Sequence, residues 1–345
     1  MAQVYRGLHE TLQREVAVKE LLPHAAADKD ALSRFRREAL ALASFRHQNI
    51  VTVYDLVEKT GSQFLILEFV DGPTLQELLR DGPLPPLVAA VVGAQLASAL
   101  EHAHFHRIIH RDLKPANVML TRTGEVKLMD FGIARDEDLG PLTKTGMAVG
   151  TPSYMSPEQV TGSPLDARTD IYSLGVVLYE CLAGERAFTA ATPGEVFARV
   201  RDGRFKALPR VAPHVPSALA KIVKRAMQTN PNNRYFDASE LRRDLEQYLS
   251  SHLKVSPNSL LIAFLRHKNK ISESEALARL TARELDLGKV FDVPVTSSAS
   301  VDIPLEVDRR SGLRWFTALL LLGAIAAAVW FHPLWLPRVL PLLHR

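Results

Sequence analysis

Between His110 and Val118 the chain reads HRDLKPANV, which sets an acid (Asp112), a base (Lys114) and an amide (Asn117) within six positions. Apolar residues flank the run, and so dense a polar set between them is unusual for a loop without a task. Transfer of a phosphoryl group asks for these three side chains. It needs a carboxylate to orient the attacking hydroxyl and accept its proton, a cation near the moving phosphoryl, and an amide oxygen for a divalent metal. Asp112, Lys114 and Asn117 match the three places in that order. Singly, an Asp or a Lys in a loop is an ordinary surface charge; the string as a whole is far more specific.

The elements that must position this loop are legible on either side. Val16 to Leu21, Ile50 to Glu58 and Phe64 to Val70 are rich in β-branched and aromatic residues and bounded by turn formers, which predicts strands. Between the first two, Leu32, Phe35, Ala39 and Leu42 recur at helical spacing and predict one amphipathic helix. From Leu75 to about Leu249 the pattern is mostly helical, interrupted by strand-like pieces around Asn117 to Leu120 and Val126 to Met129. Eighteen residues after Asp112, the second piece leads into Asp130 of MDFG, a tripeptide weak alone and strong in this place. Beyond Leu249 the pattern weakens. Ser272 to Glu275 offers a capping box for a short helix, and Val293 to Ser311 mixes Pro, Ser and charge without periodicity, as a linker does.

Taken together, these motifs resemble the bacterial Hanks-type, or eukaryotic-like, serine/threonine protein kinases over residues 1 to about 250. The resemblance implies an α+β, two-lobed protein kinase fold: a small antiparallel sheet with one helix (the family's αC), and a larger, mainly helical lobe. ATP with Mg²⁺ would sit in the cleft, with Mn²⁺ as the alternative ion. Lys19 in VAVK resembles the strand lysine that pairs with the α- and β-phosphates, and Glu38, next to Ala39 on the apolar stripe, matches its helix partner. Asp112 would act as base and Lys114 would stabilise charge, while Asn117 and Asp130 would hold the metal; one Asp plus one Asn suffices for Mg²⁺, which keeps several waters. Leu67 would be the gatekeeper, Glu68 to Val70 the adenine-binding hinge, and Val4 and Ala17 the cover over the ring. Phe131 would pack beneath the small-lobe helix. Asp170 resembles the aspartate that holds the catalytic loop, and Arg234 the arginine paired with Glu158 at the end of the activation segment.

Specificity and regulation follow by the same resemblance. Lys114 in DLKPAN and Thr151 before Pro152 are the serine/threonine forms of their motifs. Arg111 would pair with a phosphothreonine, and Thr143 and Thr145 stand where similar bacterial kinases autophosphorylate, in trans if two copies meet. The segment GTPSYMSPEQ builds a platform for protein substrates and argues against a small-molecule kinase.

One family feature is missing. The family's first strand and Gly-rich loop precede a string typically ending GGMA-x-VY, whereas this chain opens MAQVYRG, so Met1 coincides with a methionine inside that motif. The retention of Lys19, Glu38, Asp112, Asn117 and Asp130 favours a start assigned at an internal Met over a membrane-tethered pseudokinase scaffold with impaired ATP binding.

The 345 residues are 47% hydrophobic and 23% charged with a net charge of +4, an ordinary globular composition. No Lys/Arg run is dense enough for a nucleic-acid arm. The single cysteine, Cys181, excludes an internal disulfide and sits in an apolar run as a core residue. Trp315 to Phe331 is uncharged, apolar and flanked by tryptophans, which predicts a transmembrane helix. Arg309, Arg310 and Arg314 precede it, which favours a cytoplasmic kinase domain on a single-pass protein of the bacterial cytoplasmic membrane. The expected layout is a small lobe at 1–70 lacking the family's first strand and a large lobe at 71–250. A juxtamembrane linker at 251–312, a membrane helix at 313–332 and a short tail at 333–345 follow.

Overall fold

Alternating strand formers build the small lobe. Strands β1 (Ala2–His9), β2 (Arg14–Leu21), β3 (Val53–Lys59) and β4 (Ser62–Glu68) form one antiparallel sheet in the order β1-β2-β4-β3. The register sets Val4 opposite Lys19, Lys19 opposite Leu65 and Ala17 opposite Leu67. Directly opposed and next-but-one residues share a face, so these five side chains lie on one side of the sheet. Leu21 and Leu65 pack there with Phe35 and Ala39, which stand at helical positions between β2 and β3. This computed structural model describes residues 2–21, 45–59, 62–131 and 152–281, with positions 33, 35, 36, 39, 40, 42, 43, 284 and 291. All of them belong to the first of two units, Met1–Val293 and Pro294–Arg345. Glu38, Thr143, Thr145, Thr151 and the expected membrane helix lie outside the described residues.

Two helices carry the large lobe: α2 (Pro86–Phe105) and α4 (Arg168–Ala183), the latter with thirteen of its sixteen residues buried. They cross closely because Gly93 has no side chain; a Cβ there would stand 2.8 Å from Leu178 Cδ2. Among the described residues α2 alone is long and apolar enough to cross a membrane, but it is largely buried and packs against α4 and against helix α8 (Ala238–His252). The short α1 (Leu75–Arg80) follows the hinge. A hairpin of β5 (Val118–Leu120) and β6 (Val126–Leu128) lies against α2 and projects the catalytic loop toward the sheet. Helices α3 (Pro157–Thr161), α5 (Pro193–Arg201), α6 (Leu208–Val211) and α7 (Ser217–Ala226) complete the lobe. Cys181 is fully buried in α4, and burial pushes its thiol pKa well up, so it is a core residue.

The expected linker at 251–312 needs correction in its first part. Helix α8 runs through residue 250 to His252, and two further helices, α9 (Pro257–His267) and α10 (Glu273–Leu277), fold onto the large lobe. Leu260, Leu261, Phe264 and Leu265 recur at helical spacing and are entirely buried. Ser256 caps α9 ahead of Pro257 at its first position, and the expected box of Ser272 and Glu275 caps α10. A helix with that much apolar surface is unstable in water until a lobe covers it, and α2 supplies that cover.

Candidate active site

The catalytic loop is held by buried carboxylate chemistry. Asp170, fully buried in α4, accepts from the backbone N–H groups of His110 (2.8 Å) and Arg111 (2.9 Å) and from His104 Nε2 (2.8 Å). Burial alone would raise its pKa, but the His104 hydrogen bond and the His110 backbone N–H hold it below the usual value, so it stays ionised. These bonds fix Arg111 at φ 62°, a left-handed conformation that a non-glycine residue keeps only when its surroundings impose it. His110 is also buried, and desolvation lowers its pKa. Neutral, it donates from Nε2 to the Met129 carbonyl (3.0 Å) while Nδ1 accepts from Asp112 N–H (3.3 Å).

On this frame sit the three residues of the polar string. Lys114 Nζ lies 2.7 Å from Asp112 Oδ2. Asn117 Nδ2 donates to the Asp112 carbonyl (2.9 Å) and lies 3.3 Å from Asp112 Oδ2. With the amide nitrogen turned to Asp112, the amide oxygen is the atom offered to a cation. Asn117 O accepts from Met129 N–H (2.9 Å), which brings the next residue, Asp130, to the same place. Asp130 adopts φ 51°, its carboxylate is about half exposed, and Lys19 Nζ donates to its Oδ1 at 3.0 Å. A half-exposed carboxylate beside an amide oxygen fits a hard divalent cation, so these residues suit the metal that phosphoryl transfer uses.

Beside them lies an apolar cleft of about 250 Å³ between sheet and hairpin. Val4 and Ala17 line one side, Met119 and Leu128 the other, with Leu67 and the hinge residues Glu68 to Val70 along the edge. Its walls match a flat aromatic base with few polar demands. The Glu68 carboxylate is committed elsewhere, accepting from Thr52 N–H (3.1 Å) and pairing with Lys127 (2.7 Å), so only its main chain can address a ligand. Phe131 is buried below, edge-on to Phe45 at 5.4 Å and against His110 at 4.6 Å.

A family model of the protein kinase domain matches residues 1–244. The chain belongs to the protein kinase family. Among curated proteins it is similar to serine/threonine-protein kinase PknB of Mycobacterium leprae, with 41% identity over 269 residues, covering 75% of this chain and 43% of the relative. PknB of Mycolicibacterium smegmatis is 37% identical over 339 residues, covering 95% of this chain and 52% of the relative. PknB of Mycobacterium tuberculosis is 43% identical over 255 residues, 71% of this chain and 40% of the relative. The chain therefore spans about half or less of the length of these relatives, each of which is a bacterial serine/threonine-protein kinase by name. The family uses ATP with a divalent metal.

In this kinase the activation segment ends on a buried ion pair: Arg234 Nη1 and Nη2 meet Glu158 Oε1 and Oε2 at 2.7 and 2.8 Å. Burial would raise the Glu158 pKa, but the Arg234 bonds and charge hold it below its ordinary value. Of the residues expected from sequence, Asp112, Lys114 and Asn117 touch one another, and Asp130 lies beside Asn117 and against Lys19. Val4, Ala17, Glu68 and Val70 all line the cleft. Two supports escaped the sequence reading. Gln159 donates to the Arg111 carbonyl (2.9 Å) and ties the end of the activation segment to the catalytic loop. His104, in the run HAHFH, steadies Asp170. Neither has a sequence signal beyond its nearness to a motif.

Proposed function

We propose that this chain transfers the γ-phosphoryl group of ATP to serine or threonine hydroxyls of protein substrates. The observation that carries the reading is the Asp112 carboxylate, positioned by Lys114 and Asn117 and set beside the apolar cleft with its Lys19–Asp130 pair. Asp112 orients the substrate hydroxyl and accepts its proton, and Lys114 stabilises charge at the transferring group. Lys19, with Glu38 as its expected helix partner, draws the phosphates into place. Asn117 and Asp130 would hold Mg²⁺, with Mn²⁺ as the alternative, and the ion when bound neutralises charge on the phosphates. Val4 and Ala17 cover the adenine, and the main chain of Glu68 to Val70 hydrogen-bonds it.

The finer parts of the reading rest on sequence. Thr151 orders the substrate loop, and Thr143 and Thr145 are autophosphorylated in trans by a second copy, the phosphate pairing with Arg111. The apolar run at 315–331 anchors a cytoplasmic kinase domain to the bacterial cytoplasmic membrane. The test of the central claim is Asp112→Asn assayed for autophosphorylation and for transfer to a protein substrate. The expected loss is about 10²- to 10⁴-fold. Transfer at an unchanged rate sinks the assignment.

A further inference from the structure

The polypeptide leaving the hinge, residues 71 to 81, is tied at one end through Arg122, and at the other end directly, to the connection that the sequence reads as a linker. At the first end Arg122, in the turn after β5, forms an ion pair through Nε with Asp71 Oδ2 (2.8 Å), and its N–H donates to the Asp71 carbonyl (3.2 Å). The same guanidinium reaches α10, with Nη1 at 2.8 and 3.0 Å from the two oxygens of Glu275. At the second end, beyond α1, Lys270 Nζ pairs with the Asp81 carboxylate (3.2 Å) and Lys268 Nζ donates to the Asp81 carbonyl (3.1 Å). Between the ends there is no slack. Leu120 N–H donates to the Pro73 carbonyl (2.9 Å), and a Cβ on Gly72 would fall 1.8 Å from Leu120 O.

This grip has a firm footing and a short route to the cleft. The wholly buried Leu260, Leu261, Phe264 and Leu265 seat α9 on the lobe, and α10 packs on α9. Asp71 is the next residue after Val70, at the cleft edge, and Arg122 follows by three residues Met119, on the cleft wall. A displacement at Asp71 thus passes through one peptide bond to the groups that would meet the adenine ring.

We propose that the 268–275 connection is a positioning element of the nucleotide cleft, with Arg122 as the positioning residue that links Glu275 to the hinge exit at Asp71. It rests on the cleft being the ATP site, as argued above. The acceptor-side chemistry at Asp112 is untouched by the brace, so its loss weakens nucleotide binding and spares the transfer step. The three groups at the Arg122 junction are partly exposed, and pairs of that kind are worth a few-fold in an equilibrium constant.

The experiment uses the full chain and compares it with Arg122→Gln, Arg122→Lys, Glu275→Gln, the double variant Arg122→Gln/Glu275→Gln and Lys268→Ala/Lys270→Ala. The readouts are KM for ATP, kcat, the Kd of Mg·ADP, and hydrogen exchange of the amides of residues 68–75. The expected result is a rise of about two- to fivefold in KM and Kd at unchanged kcat, with faster exchange across 68–75. Arg122→Lys should recover part of the loss, and the double variant should lose no more than Arg122→Gln alone, since both break one junction. Asp202→Asn, which breaks an ion pair on α5, should change none of these values. A kcat loss with KM, Kd and exchange unmoved, or no change in any variant, overturns the brace. A parent chain that binds no Mg·ADP refutes the cleft as the nucleotide site and takes the positioning role with it.

Discussion

Replacing Asp170 by Asn keeps the shape of the side chain and removes its charge, at the point where the catalytic loop hangs from α4. The carboxylate accepts three hydrogen bonds, from His110 N–H, Arg111 N–H and His104 Nε2, at 2.8, 2.9 and 2.8 Å. An amide has one oxygen. If that oxygen takes the place of Oδ2, it keeps His110 and His104, and the NH₂ group then faces the Arg111 N–H. One charge-assisted bond, worth about 1.5–3 kcal/mol, is lost, and two donors are left confronting each other in a fully buried site at a further 1–3 kcal/mol or so. The sum, about 2.5–6 kcal/mol, corresponds to a fall in melting temperature on the order of 10 °C for a domain of this size. Arg111 would also relax from its left-handed conformation, shifting Asp112 and lowering kcat by roughly tenfold to a hundredfold. Differential scanning calorimetry of the parent and Asp170→Asn chains, with kcat measured below the lower transition, tests both halves. A melting temperature within about 1 °C of the parent would refute the claim that this carboxylate carries the loop.

Three further outcomes follow from the packing. Phe264→Ala should cost about 3–5 kcal/mol in chemical denaturation, because its ring, carried on α9, is wholly buried against the lobe; a residue of a free linker would cost nothing. Arg234→Met should destabilise by about 3–5 kcal/mol, since it strands the buried Glu158 carboxylate, and adding Glu158→Leu should recover most of that loss. The third concerns pH. His47 stacks on His102 with ring centroids 5.1 Å apart, and His102 lies 4.6 Å from His106. Burial, then the charge of His102, with lesser contributions from Lys127 and Arg242 against an opposing one from Glu101, lowers the His47 pKa. Burial and then His106 lower that of His102. Folded values below 6.5 mean that the unfolded chain takes up these protons first, so stability held above pH 6.5 is lost as pH falls through the depressed values. His102→Phe should therefore lose less melting temperature than the parent between about pH 7.5 and pH 5.5, measured by calorimetry.

The chemistry of the loop could be read from residue order because its groups are neighbours in the chain. Asp112, Lys114 and Asn117 fall within six positions, and a short turn is enough to bring them together. Asp130 was legible for a similar reason: one hairpin, β5 to β6, returns the chain to Asn117. The strands were legible because a half-buried sheet writes its faces as alternation, and Lys19 could be placed among them. The supports behind these groups were not legible. His104 finds Asp170 across 66 positions, Gln159 finds Arg111 across 48, and Arg122 finds Glu275 across 153. Polar side chains of these kinds are mostly solvated wherever they occur, and only the packing of α2 against α4 or of α9 on the lobe brings them to a partner. Residues 253 to 281 make the same point for whole elements. Their apolar residues carry helical spacing, yet whether that stripe faces solvent, lipid or a lobe depends on a surface built by α2, more than 150 positions earlier. Spacing along the chain specifies local geometry and the reacting groups, whereas which distant surfaces exclude water together is decided only when the chain has folded.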